Sequence, residues 1–412
     1  MRIADWVGAL SERNFRLFYI GQTTSQIGSG MAPVAITFAV LQHGTVSDVG
    51  FVSAAGLAPV VILLLVGGVI ADRFSRRVVM LSSDLLRTVA EIGLGVWILL
   101  APPPLWAFMA LAALVGAGSA FFFPAMTGLV PQVISRANLQ QANALNNLSG
   151  SVAQVVGPAM AGLIIAAASP GWAVLIDGLT YLVSVVSLFL IAIEWIPQES
   201  VETFIRQLRQ GWTEFWSRTW LWVIVLEFSM VNILIFAPMF VLGPAIAKES
   251  LGGAPVWGLI LAIEGAGSVL GGVVMLRWDP VRPLLVATIS PLTWAWPLFA
   301  LAFVAPVWLI ASGAFVAGIG LAIFGTLWTT TMQREIPSDV LSRVSAYDWF
   351  GSLVFLPIGM ALIGPISKAC GTTATIVGST ALLIVLIGAT LTVPSVVQMR
   401  APAARPERLP AT

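Results

Sequence analysis

Charge is what this 412-residue chain has least of: Asp, Glu, Lys and Arg make up 9% of it, whereas 58% is hydrophobic. A soluble domain carries about a quarter charged residues, so that class is excluded at the outset. The single cysteine, Cys370, excludes an intrachain disulfide, and with one histidine, His43, there is no Cys/His cluster to bind a metal. No nucleophile with a base partner, phosphate-binding loop or dinucleotide fingerprint is visible, so neither an enzyme nor a cofactor is expected. His43, beside Gly44 in the first outer loop, reads as a solvated histidine, with proton sensing as its alternative. The net charge of +1 points to no nucleic-acid partner.

Long apolar runs are abundant. About 20 residues at 1.5 Å each span a hydrocarbon core of about 30 Å. Breaks at charge clusters and Pro/Gly turns predict twelve membrane helices, near 15-40, 49-71, 78-100, 105-133, 138-168 and 172-193, then 220-247, 255-276, 281-304, 306-331, 341-369 and 373-397. Only "AP" at 305-306 marks the turn between the ninth and tenth. Arginines fall on one side of this arrangement: Arg2, Arg13 and Arg16 before the first helix, Arg73, Arg76 and Arg77 after the second, and Arg136 after the fourth. Arg206, Arg209 and Arg218 follow between the sixth and seventh, then Arg277, Arg282, Arg334 and Arg343, and Arg400, Arg405 and Arg408 in the tail. The opposite side has only Lys248 and Lys368. Cytoplasmic loops retain positive charge, which places both termini inside the cell membrane, with the first helix as its own insertion signal.

The chain reads as doubled. "VISRANLQQANALN" at 133-146 compares with "EIPSDVLSRVSAYD" at 335-348, "GGV" at 67-69 recurs at 271-273, and "RNF" at 13-15 has a counterpart in "RTW" at 218-220, at offsets of 202, 204 and 205 residues. The expected division is a six-helix half at 1-193, an amphipathic cytoplasmic linker at 194-219, a second half at 220-399 and a tail at 400-412. Within 199-219, Phe204, Leu208, Trp212, Phe215 and Trp216 share one face of a helix and Glu202, Arg206 and Arg209 the other. Two rigid halves rocking about a midplane site would expose a solute to each side in turn.

Four charges, Asp72, Arg73, Arg76 and Arg77, interrupt the hydrocarbon in "GGVIADRFSRRVVM" at 67-80. With Gly68 they resemble the signature loop of the major facilitator superfamily, G-x-x-x-D-R-x-G-R-K, Ser75 standing where the family has glycine. "AQVVGPAMAGLI" in the fifth helix resembles the superfamily's antiporter motif through Gly157, Pro158 and Gly162, with Ala153 and Ala161 in two glycine positions. That motif accompanies exporters in the family, and close helix packing is its plain alternative. The arginine that the family pattern places four residues before Gly116 is Ala112 here. "RNFRLFYIGQTTSQIGSGM" at 13-31 and the stretch 121-164 look like the branch of macrolide-efflux and enterobactin-exporter-type proteins, the third group of drug:proton antiporters. The resemblance implies an all-α membrane protein with twelve transmembrane helices in two six-helix halves.

Ionisable groups inside a membrane are costly and are candidates by default. In the third helix Asp84, Arg87 and Glu91 share one stripe, about 9, 14 and 20 Å in, which reads as an ion-pair ladder or as a proton site. Asp177 is expected near the outer rim in a structural role. Glu227 and Glu264 have no opposite charge within a turn and, by family analogy, lie on helices bordering the central cavity. Elimination makes Glu264 the first choice for the coupling proton and Glu227 the second, with Asp348 and Glu91 behind them; a permanently protonated, hydrogen-bonded acid is the alternative. Gln22, Gln26, Asn143, Asn147 and Asn232 are candidate substrate contacts or interhelical hydrogen bonds. The expected function is a proton-driven, monomeric exporter of small hydrophobic or amphipathic molecules, of drug or siderophore type. A proton-coupled importer and a non-transporting membrane scaffold are the alternatives.

Overall fold

The computed structural model describes residues 4–135, 138–193, 204–337 and 340–400, with the side chains of 4–7, 64–73, 204–208 and 342 outside that description. A short helix, Ala4–Ser11, precedes the first six membrane helices: α1 (Arg13–His43), α2 (Val46–Arg73), α3 (Arg76–Leu100), α4 (Leu105–Val133), α5 (Leu139–Ala167) and α6 (Pro170–Leu190). A linker helix, Phe204–Ser217, leads to α7 (Thr219–Leu251), α8 (Ala254–Met275), α9 (Pro283–Ala302), α10 (Val307–Glu335), α11 (Leu341–Leu353 continuing as Leu356–Cys370) and α12 (Thr372–Thr390). All twelve expected helices are present.

Eleven of these segments are long and apolar enough to cross a bilayer, and α3 is the exception because Arg76, Arg77, Asp84, Arg87 and Glu91 lie along its 25 residues. It is accommodated by packing between α4 and α6. Pro238 has no amide hydrogen to donate, and around it α7 widens into π turns at Asn232–Phe236 and Pro238–Leu242. α9 tightens to a 3₁₀ turn at Ser290–Trp294, around Pro291, and α11 breaks just before Pro357, which disfavours helical geometry in the residue preceding it. The "AP" turn holds as expected, with Val304 at φ 48° and Ala305 N–H bonded to the Ala300 carbonyl at 2.9 Å. The last helix is shorter than expected: it stops at Thr390, and only a turn at Pro394–Val397 follows.

α1 to α6 pack on one another, as do α7 to α12, and the two six-helix halves meet along α2 against α11 and α5 against α8. Glycines bring backbones together at these seams. A Cβ on Gly258 would strike the Pro158 carbonyl, and one on Gly50 the Met360 carbonyl. Of the linker helix, Phe215 is buried and Trp212 is half exposed; both rings lie against Tyr347 of α11, at 5.4 Å for Trp212 and 6.2 Å for Phe215. The apolar face expected to lie on the bilayer is thus shared with α11. Glu202, Arg136 and the residues from 401 on lie outside the described residues.

Across the end of the interface that is expected to face outward, the Lys248 ammonium donates to the Leu41 carbonyl in the last turn of α1, where the helix dipole favours a cation. Lys248→Met should weaken this latch by about 1 kcal/mol, a factor of about five in population. The expected readout is a several-fold faster reaction of a single cysteine at Ser53 with an impermeant thiol reagent added outside. An unchanged rate would mean that the contact does not hold the outer face closed.

Candidate functional site

α3 and α6 run antiparallel, and their polar stripes match residue by residue. Asp84, Arg87 and Glu91 ascend one helix while Ser184, Tyr181 and Asp177 descend the other, and all six are buried. Gly178 permits the contact, since a Cβ there would lie 2.7 Å from the Ile92 amide and 3.1 Å from the Glu91 Cβ. Gly28 of α1 closes the third side, directly against the Asp177 carboxyl and Thr180.

Within this cluster Arg87 is held by one ion pair and two rings, while its buried Nε has no hydrogen-bond partner. It forms an ion pair with Asp84 Oδ1, and its guanidinium carbon sits 4.2 Å from the centre of the Phe122 ring and 4.4 Å from that of Tyr181. Ser184 Oγ donates to the other Asp84 oxygen at 2.5 Å, while the Tyr181 and Ser29 hydroxyls bond each other at 2.8 Å. Desolvated, such a sandwiched cation gains about 2 kcal/mol from the rings. Asp84 is satisfied; Glu91 and Asp177 are less so. Glu91 Oε2 and Asp177 Oδ2 have no hydrogen-bond partner, the Thr180 hydroxyl reaches Asp177 Oδ1 at 3.3 Å, and the two carboxyls lie within electrostatic reach of each other.

Glu91 also faces a cavity of about 410 Å³ between the halves. On the first half its wall includes Ser29, Gly116 and Tyr181, and on the second Phe240, Trp257 and Met360. Among the described residues, Glu91 is the only carboxyl in that wall, which contains no Lys, Arg or His. Ala112, at the position of the family's arginine, is part of the wall and packs on Gly56 of α2.

The seventh and eighth helices border the cavity as expected, through Phe240, Pro244, Trp257 and Leu261, but Glu227 and Glu264 are not among the residues of its wall. Glu227 is buried inside the second half, beside Thr288 of α9 and Thr390 of α12, with neither carboxyl oxygen in a well-formed hydrogen bond. Glu264 is partly exposed on α8, with its backbone against Gly318 of α10, and is absent from the cavity wall. Asp348 accepts the Trp328 indole N–H at 3.1 Å and the Ser352 hydroxyl at 3.5 Å. Arg334 pairs instead with Asp279 at 3.6 Å. Asp177, eight residues into α6, is wholly buried.

The proposed substrate contacts also fall outside the wall. Asn232 donates to the Phe228 and Ser352 carbonyls at 3.0 and 2.9 Å, the interhelical alternative. Asn143 and Asn147 are exposed on α5, and Gln22 and Gln26 each bury a side-chain oxygen without a partner.

In the signature loop, the side chains of Gly68, Asp72 and Arg73 lie outside the described residues. Arg76 donates to the Gly128 carbonyl at 2.7 Å, and Arg77 to the Leu188 and Phe189 carbonyls at 2.8 and 2.6 Å, tying α3 to α4 and to the C-terminal end of α6. Ser75 has φ −55° and ψ 119°, so this turn needs no glycine. The α5 motif is a packing surface in this structure: Gly157 meets Gly30 of α1 with a virtual Cβ distance of 2.7 Å, and Gly162 meets the Ala254 carbonyl of α8 at 2.8 Å.

A sequence profile of the Major Facilitator Superfamily matches residues 18–352. The chain is 27% identical to the multidrug efflux pump Tap of Mycolicibacterium fortuitum over 378 residues, covering 87% of this chain and 90% of that protein. It is 24% identical to macrolide efflux protein A of Streptococcus pyogenes, covering 84% and 88% of the two chains. Against the enterobactin exporter EntS of Salmonella typhimurium it is 26% identical, covering 85% and 84%. Among solved structures, the nucleoside transporter NupG superposes with a TM-score of 0.73 at 11% identity, over 92% of this chain and 98% of that one. A bacterial homolog of the human lysosomal transporter Spinster, inward-facing and unoccupied, gives 0.70 at 14% identity, over 98% and 100%. With twelve helices in two halves around a central cavity and a profile match over most of its length, the chain belongs to the Major Facilitator Superfamily.

Proposed function

We propose that this transporter is a monomeric exporter of the cell membrane that moves small hydrophobic or amphipathic molecules outward by alternating access, driven by inward proton flow. One observation carries the reading: an apolar cavity between the halves in whose wall Glu91 is the single carboxyl among the described residues, backed by the partly unsatisfied Asp177. An apolar wall suits an amphipathic solute, and a carboxyl shared between the cavity and a buried second acid can take up a proton from one side and release it to the other. The role first assigned to Glu264 and Glu227 therefore passes to Glu91. A scaffold needs neither the cavity nor unpartnered acids within it, and an importer would run the same cycle in reverse. Export is favoured because relatives along most of the chain are efflux proteins.

Inverted vesicles settle the direction. With the purified protein's gene expressed and an inside-acid gradient imposed, a panel of hydrophobic fluorescent drugs should accumulate above the level in vesicles lacking the protein, and the excess should vanish when the gradient is collapsed. Accumulation only in right-side-out vesicles under an inward proton gradient would make it an importer, and none in either would support a scaffold.

Two further outcomes follow from the membrane orientation and from the signature loop. In a Cys370→Ser background, single cysteines at Gln42 and Ser250 are expected to react with an impermeant thiol reagent applied outside intact cells, and one at Ser75 is not; the reverse pattern would invert the topology. In the family the loop aspartate holds the cytoplasmic side shut against the start of the eleventh helix, here near Leu341. Asp72→Asn is accordingly expected to remove most transport while leaving substrate binding and expression nearly unchanged, by shifting the population toward inward-facing states. Wild-type transport in that variant would leave Asp72 a topogenic charge alone.

A further inference from the structure

The Glu227 carboxyl has a setting of its own, inside the second half and away from the cavity wall. It is 2% exposed, neither of its oxygens has a hydrogen-bond partner, and it stands beside Thr288 of α9 and Thr390 of α12. Thr288 is completely buried, and its hydroxyl is unpartnered as well. Thr380 and Thr390 fold their hydroxyls back onto carbonyls of their own helix, at 2.9 and 3.1 Å, but Thr288 does not. Three side chains from three helices thus bring oxygen atoms together without a basic group. Glu227 is the only ionisable residue of α7 between Thr219 and Val231, and the sequences of α9 and α12 contain none. The helix ends favour positive charge at the same place. Thr390 is the last residue of α12, at the negative end of its dipole, whereas Glu227 and Thr288 lie beyond the first turns of α7 and α9, where the positive ends no longer act.

We propose that Glu227, Thr288 and Thr390 form a site for a small monovalent cation of the sodium type, held inside the second half between α7, α9 and α12. An ionised carboxyl in a membrane interior needs a compensating charge. A proton would cancel the charge through one oxygen. A small cation would cancel it and use the lone pairs of all three side chains at once. Carboxylate and hydroxyl oxygens are hard ligands that suit a hard cation, and one carboxylate balances one positive charge, which favours Na⁺ over Ca²⁺ or Mg²⁺. The charged groups on neighbouring elements are engaged elsewhere: Asp348 of α11 accepts from Trp328 and Ser352, and Arg218, before the start of α7, pairs with Glu214. All three ligands belong to one half, so the ion stays in place when the halves rock. Its role is to tie the end of α12 to α7 and α9, not to drive transport.

Binding of radiolabelled Na⁺ to the full-length protein in detergent, with choline holding the ionic strength constant, is expected to saturate near one ion per chain. Unlabelled Na⁺ should displace the label, K⁺ should compete at least about tenfold more weakly, and Na⁺ should raise the Tm by several degrees where choline does not. Glu227→Gln should abolish both the binding and the Na⁺-dependent rise in Tm. Thr288→Val keeps the shape of the side chain and removes only its oxygen, so it should unfold like the wild type in choline yet bind Na⁺ at least about tenfold more weakly. Absence of saturable binding to the wild type, retained binding in Glu227→Gln, or wild-type affinity in Thr288→Val would overturn the proposal, and the valine variant decides if the glutamine variant does not fold. In inverted vesicles, drug accumulation under the pH gradient should be the same with a Na⁺ gradient in either direction; accumulation that follows the Na⁺ gradient would overturn the static role. Binding and unfolding need no transport, so a protein that binds Na⁺ but exports nothing keeps this site and loses the exporter reading. One that exports but binds no Na⁺ loses the site alone.

Discussion

Replacing Glu91 with glutamine is expected to reduce efflux driven by a pH gradient to the level of vesicles lacking the protein, while downhill exchange of an uncharged substrate continues. Glutamine preserves the shape of the side chain and its capacity to hydrogen-bond, but it cannot bind and release a proton. The site is buried at 1% exposure, so no external acid substitutes for the lost group. Asp177→Asn should give a milder defect: its carboxyl interacts with Glu91 from α6 but does not line the cavity. Glu264→Gln and Glu227→Gln should retain uphill efflux, since Glu264 lies on α8 outside the cavity and Glu227 is enclosed by the second half. Measuring all four variants in the same inverted vesicles distinguishes the assignments. Normal gradient dependence in Glu91→Gln together with its loss in Glu264→Gln would return the coupling site to α8.

Why the sequence ranked these acids in the other order has a physical explanation. Helix number and the two halves follow from hydropathy and from short motifs, because a bilayer forces every backbone group into a helix and a helix must be about 20 residues long. The small residues of α5 pack as the plain alternative for their motif has it, Gly157 against Gly30, whereas the bonds of Arg77 to the Leu188 and Phe189 carbonyls had no signal in the sequence. Side-chain pairing across helices is different. The period of α3 shows Arg87 between two acids but not which of them it joins; that choice depends on Ser184, whose hydroxyl holds Asp84 from a hundred residues away. Distance from the start of α6 places Asp177 along its helix but does not show that it faces Glu91. Its spacing to Tyr181 and Ser184, i, i+4 and i+7, was nevertheless a signal that α6 has a polar stripe of its own, antiparallel to that of α3. Depth along one helix says nothing about which neighbour a residue faces, and so Glu227 and Glu264, with no opposite charge on their own helices, gained a prominence that the packing does not give them.

Arg87 provides the other large expected effect, on folding. Asp84 is completely buried and pairs with a guanidinium that is itself 4% exposed, so removing the cation alone leaves an uncompensated carboxylate in a place that water does not reach. Breaking a buried pair from one side costs about 3–5 kcal/mol, whereas removing both charges together is often nearly neutral. Arg87→Met is therefore expected to lower stability by about that amount, the methionine refilling part of the space between Phe122 and Tyr181 without restoring the charge. The double variant Arg87→Met with Asp84→Asn should recover most of the loss, because asparagine keeps an oxygen for the Ser184 hydroxyl and introduces no charge. Thermal unfolding of the purified proteins in detergent gives the comparison directly. A single Arg87→Met variant as stable as wild type would show that Asp84 is already protonated in the folded protein, and that the ladder on α3 holds no ion pair. If instead the single variant is destabilised and the double variant is rescued, with gradient-driven efflux restored in the latter, the pair serves to fix α3 against α6 and leaves Glu91 free as the acid at the cavity.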